Sequence, residues 1–233
     1  MEVLISFFVL AIGLTGSLSI IVSAGKANKT HQNRLIATNL AQESLEAIRN
    51  IRDTNWLVYS SNLRECWNFW PDTDENGIID ASDAPCVPNT DGQNDHPIPG
   101  GQSFLVDFDP DNFQWNLVPA SNFSSSSIDP SKDFSGGFSL FKNAGFFTHN
   151  RGNPTDSPTA FSREIKIYYL DNPNFVDNGD GTFSGGDFPV GDKSKDNRIL
   201  VISRVSWEER GATRSVVLST IFTDFLARTE WNS

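Results

Sequence analysis

From Val3 to Ser23 the sequence VLISFFVLAIGLTGSLSIIVS carries no charge, and Glu2 stands immediately before it. A helix of about 20 apolar residues is long enough to cross the hydrocarbon core of a bilayer. This run constrains the chain more than any other feature, because a segment apolar on every side needs either lipid or other helices around it. The carboxylate at its head is costly to bury unpaired, so a partner for Glu2 is expected.

Past Lys26 and Lys29 the apolar positions continue at three- and four-residue spacing through Ile36, Leu40, Ser44, Ala47, Ile48 and Ile51. Asn39, Glu43, Glu46, Arg49 and Asn50 fall elsewhere around the same helix. The spacing predicts one continuous helix from the start of the chain to about Arg52, extending about 75 Å at roughly 1.5 Å per residue. Residues 1–25 form its transmembrane or filament-core half and 26–53 its amphipathic half, which requires an apolar face to cover. Residues 54–233 are then a β-rich head outside the membrane.

The segment EVLIS at 2–6, the apolar stretch that follows and the later ATNLAQESLEAIRNIRDTNW resemble the N-terminal helix of type IV pilins and type II secretion pseudopilins. The likeness is greatest to minor, pilus-modification-like prepilins. It covers about the first 56 residues specifically and the C-terminal strands loosely. The resemblance implies a membrane-anchored precursor that assembles with other pilin subunits into a type IV pilus or secretion filament. Glu2 matches the family's assembly glutamate, which pairs with the terminal amine of a neighbouring subunit. Met1 stands where the pattern has the residue before that glutamate, so a leader cut by prepilin peptidase is expected upstream if processing occurs. The family's topology places Lys26, Lys29 and Arg34 outside the cell, whereas the distribution of positive charge alone would place them inside. An uncleaved signal anchor carrying a surface-binding or adhesion head is the competing reading.

A second motif is DTDENGIIDASD at 72–83. Asp72, Asp74 and Asn76 supply oxygen ligands, Gly77 permits the turn, the Ile78 carbonyl follows, and Asp80 and Asp83 take positions nine and twelve of an EF-hand-type calcium loop. Calcium needs six to eight hard oxygen donors, and alternating side chains in a tight loop bring them to one point. Asp at position twelve makes the loop resemble those of dockerins. Pro71 before it and Ala84-Pro85 after it leave no room for flanking helices, so a solitary calcium loop that stabilises the head is expected.

Cys66 and Cys86, the only two cysteines, bracket this loop, and a disulfide clamping the 66–86 insertion is expected. Zinc held by these cysteines with His96 and His149 lacks a short paired-ligand spacing. Trp67, Phe69 and Trp70 beside the loop read as packing residues, or as a glycan-binding surface in the adhesion alternative.

Strand-like runs follow at FLVDF (104), FQWNLV (113), FSLF (138), FSREIKIYYL (161), RILVISRVSWEE (198) and ATRSVVLSTIFTDFL (212), with Glu209-Arg210-Gly211 as a hairpin turn. The expected fold is α+β, pilin-like: a long N-terminal helix laid on an antiparallel sheet. DNGDGTFSGGD at 177–187 reads as a wide turn rather than a second calcium site.

Eighteen basic against twenty-nine acidic residues give a net charge of −11, which disfavours binding to nucleic-acid phosphates. No nucleophile elbow, phosphate loop, zinc-protease or dinucleotide motif occurs, and no enzymatic activity is expected. Acid pairs such as Asp107 with Asp109 read as part of an acidic surface.

Overall fold

The computed structural model describes residues 2–59, 66–70, 86, 97–109, 113–120, 138–143, 146–149, 157–171, 174–179, 183–185 and 198–223. Its architecture is α+β. One helix, α1 (Glu2–Val58), is continuous over 57 residues, about 85 Å at roughly 1.5 Å per residue. It runs past the predicted end at Arg52 because Asn55 still belongs to the buried stripe. The Asn55 side-chain amide donates to the Phe69 carbonyl at 2.7 Å, and the helix closes with the Tyr59 amide on the Asn55 carbonyl at 2.9 Å.

Nine strands follow among the described residues: β1 (Ser103–Asp109), β2 (Gln114–Pro119), β3 (Ser139–Asn143), β4 (Phe146–Thr148), β5 (Ser157–Tyr169), β6 (Val176–Asp177), β7 (Phe183–Ser184), β8 (Arg198–Glu209) and β9 (Ala212–Thr223). Seven of them build one antiparallel sheet around β5. Strand β8 lies along one edge of β5 from Phe161↔Trp207 to Tyr169↔Ile199. The other edge is shared: β3 pairs with its first half and β1 with Ile165 and Lys166. The sheet therefore forks beside β5, one branch continuing to β2 and the other to β4.

Strands β8 and β9 join through Arg210 and Gly211, both with positive φ (56° and 73°), between the paired residues Glu209 and Ala212. Two consecutive left-handed residues make the tight hairpin turn whose twist matches that of the strands. The 177–187 stretch contributes to a small hairpin, Val176↔Ser184 and Asp177↔Phe183, that covers the far face of the sheet. There Phe175 and Phe183 stack 5.8 Å apart beside Tyr168, Leu200 and Ile202. Gly185 is required beside this hairpin, because a Cβ on it would fall 1.8 Å from the Asn174 carbonyl oxygen.

The helix buries Ala37, Leu40, Ala41, Ser44, Ala47, Ile48, Ile51 and Asn55 on the sheet. This stripe follows the 3.6-residue period, and its small residues let the helix sit close to β8 and β9. Two apolar clusters result. One gathers Ala47, Ile48 and Ile51 with Ile165, Ile167, Tyr169 and Val201. The other gathers Ala37, Leu40 and Ala41 with Leu140, Phe161, Val205 and Trp207.

Candidate assembly helix and its anchorage in the head

The first half of α1 buries none of its residues on the head. Its large apolar side chains from Val3 to Val22 are between 48% and 72% exposed. Residues 2–23 would extend about 33 Å, matching the roughly 30 Å of a bilayer core. The chain thus has one N-terminal helix long and apolar enough to span a membrane. Three of its hydroxyls bond within the helix: Ser6, Thr15 and Ser17 donate to the carbonyls of Glu2, Ala11 and Gly13 at 3.0, 3.0 and 2.8 Å. A helix that closes its own hydrogen bonds is suited to lipid or to packing against other helices. Glu2 is exposed, and no basic side chain pairs with it among the described residues.

The second half is locked to the head by polar as well as apolar contacts. Arg163 projects from β5 at the fork, towards the helix, and is 1% exposed. Its guanidinium donates to Glu43 at 2.9 Å and to the Val106 carbonyl at 2.5 Å, while its amide donates to the Phe138 carbonyl at 2.8 Å. One side chain thereby ties together the helix, β1 and β5. It lies at the level of Ser44 and Ser203, between the two apolar clusters.

Across the fork the His149 amide donates to the Asp107 carboxylate at 2.8 Å, joining the end of β4 to β1. Burial pushes the Asp107 carboxyl above its ordinary value, against the opposing pull of the His149 amide, Arg163 and Thr148. Burial, followed by the charge of Arg163, holds the His149 imidazole well below its ordinary value of 6.5, although the Ser139 carbonyl favours the protonated ring. His149 is therefore an uncharged interior residue. Asp107 is not the surface acid its spacing with Asp109 predicted. Residue spacing carried no signal for this cluster, because its members are brought together by the fork of the sheet.

Cys66 and Cys86 form a disulfide with a Cα separation of 6.1 Å. This removes the thiolates that a zinc site with His96 and His149 would have used. Both ends of the bracketed segment are embedded. Asn68 donates to the Tyr169 hydroxyl at 3.2 Å, Tyr169 donates to the Ile98 carbonyl at 2.7 Å, and the Trp70 indole donates to the Leu117 carbonyl at 3.0 Å. Trp67, Phe69 and Trp70 are all buried and serve the core, so a glycan surface built on them is excluded. The predicted calcium ligands Asp72, Asp74, Asn76, Ile78, Asp80 and Asp83 lie outside the described residues.

Comparison with family models, with curated proteins and with solved structures finds no match to this chain.

Proposed function

We propose that the chain is a structural, non-enzymatic filament subunit of the minor pilin or pseudopilin kind. It is held in the cytoplasmic membrane by α1 before assembly and then packed through that helix against other pilin subunits, with the head outside. The observation that carries this reading is the division of one continuous helix. Its apolar half is exposed on every side, and its amphipathic half is sealed to an antiparallel sheet. Exposed apolar surface of this extent calls for lipid or a partner, and a filament core of parallel helices supplies the partner once lipid is left. The resemblance of residues 2–56 to pilins supports the same reading, as does the unpaired Glu2, whose role is to neutralise the terminal amine of a neighbour. The head is braced by the Cys66–Cys86 disulfide and, in this proposal, by calcium in the 72–83 loop.

Glu2→Ala tests the proposal in cells that express the full reading frame. Membrane insertion is expected to persist, because removing one carboxylate makes the helix more apolar, while recovery of the subunit in sheared filaments should fall at least about tenfold, a loss of roughly 1.4 kcal/mol. Undiminished recovery would remove the assembly role from Glu2. A parent chain never recovered in filaments would instead favour a simple membrane anchor.

A further inference from the structure

The helix stripe that packs on the sheet continues towards the apolar half through Lys29, Lys26 and Val22, and there it faces the tip of the β8–β9 hairpin. Between them lies a cleft of about 370 Å³, lined by Val22, Lys26, Lys29, Glu208, Glu209 and Arg210 among others. We propose that this cleft holds the headgroup of one anionic glycerophospholipid, with its phosphodiester between Lys26, Lys29 and Arg210. The inference rests on the membrane reading of α1.

Three observations support it. First, Lys26 lies three residues past Ser23, the last residue of the apolar run, so the cleft opens at the level where a spanning helix meets the lipid headgroups. Acyl chains can then lie along the exposed apolar face ending at Val22. Second, Lys26, Lys29 and Arg210 close no ion pair among the described residues, although the Arg210 charge acts on the Glu209 carboxylate from a longer distance. Glu209 is already engaged, since it accepts from the Thr30 hydroxyl and, at 3.4 Å, from the Trp207 indole. Third, the charges match. Three cations and two carboxylates line the cleft, leaving +1, which a singly charged phosphatidylglycerol neutralises and a zwitterionic lipid does not. Glu208 makes no ion pair among the described residues and can accept from a headgroup hydroxyl.

The Thr30–Glu209 contact gives the cleft a fixed wall, because it pins the hairpin tip to the helix. A lipid seated there would hold the head at a set height and tilt on the membrane, which is the geometry from which a subunit leaves for a filament.

The test is native mass spectrometry of the full chain released from nanodiscs containing equal phosphatidylglycerol and phosphatidylcholine. The parent should retain phosphatidylglycerol over phosphatidylcholine by at least about fivefold, taking roughly 1 kcal/mol for each cation near the surface. Lys26→Gln with Lys29→Gln should bring the two lipids to parity, while Arg34→Gln, a cation outside the cleft, should leave the preference in place. Millimolar inorganic phosphate should not displace the lipid. Parity in the parent, equal loss in the Arg34 variant, or a phosphate adduct replacing the lipid would each overturn the inference. Failure of the parent to insert into nanodiscs would overturn the membrane reading itself, so the two failures are distinct.

Discussion

Glu43 on the helix and Arg163 on the central strand, 120 residues apart, meet at 2.9 Å in the one ion pair that crosses the helix–sheet interface among the described residues. The Arg163 side chain is fully buried, whereas Glu43 keeps 37% of its side-chain surface in contact with solvent. The pair therefore acts less as a source of net stability than as a register pin. A buried cation can be satisfied at only one height along the helix, whereas apolar clusters tolerate sliding.

Removing the two partners should have unequal effects. Arg163→Ala empties a buried volume and frees the Val106 carbonyl, and a loss of about 3–5 kcal/mol is expected. Glu43→Gln keeps a hydrogen-bond acceptor at a half-exposed site, and about 1 kcal/mol is expected after allowance for solvent screening. Urea unfolding of the full chain in detergent, followed by tryptophan fluorescence, measures both. Equal losses would show that the guanidinium is not the buried anchor.

The His149 imidazole gives the head a predicted acid sensitivity. Its folded-state value lies well below 6.5, so between those two values the unfolded chain binds a proton that the folded chain refuses. Stability is then fully present above about pH 6.5 and falls with acidification, by at most about 1.4 kcal/mol per pH unit from this group. Asp107 acts in the opposite sense. Its raised value lets the folded state take up a proton earlier than the unfolded state, which offsets part of the loss at lower pH. Melting temperature against pH for the parent and His149→Leu should diverge below about pH 6.5, with the variant flatter. Parallel curves would assign the acid response to other groups.

Loss of the disulfide should weaken the head markedly. The closed loop spans a sequence separation of 20 residues, and freeing it in the unfolded chain removes about 3 kcal/mol. For a head of this size that corresponds to a melting temperature lower by about 6–12 °C. The double variant Cys66→Ser with Cys86→Ser, compared with the reduced parent by differential scanning fluorimetry, checks the figure.

Calcium should raise the melting temperature of the parent and leave Asp72→Ala unchanged at the same concentration. At a hundredfold excess over the dissociation constant, binding to the folded state alone adds about 2.7 kcal/mol. Chelation of the parent should reproduce the variant. A parent that melts identically with calcium and with chelator would remove the ion from the account of the head.

What the sequence by itself determined is the part governed by local period. The apolar run and the stripe through Leu40, Ser44, Ala47, Ile48 and Ile51 define the long helix. The alternation in 198–209 and 212–223 likewise defines β8 and β9 and their turn, with the predicted boundaries at Arg198 and Glu209 kept. Shorter elements escaped this reading, because three residues of β4 or two of β6 complete too little of a period to stand out.

Only the tertiary structure decided the long-range pairings. Glu43 was legible as a polar residue off the apolar stripe, yet its partner lies on a strand 120 residues away. Asp107 and His149 are joined only because β5 gives one edge to two different strands, leaving a fork that their hydrogen bond closes. Burial of Trp67, Phe69 and Trp70, and the meeting of Lys26 with the hairpin tip, were settled in the same way. The physical reason is that secondary structure follows from neighbours along the chain. The environment of a charge or an aromatic ring depends on which distant surfaces close over it.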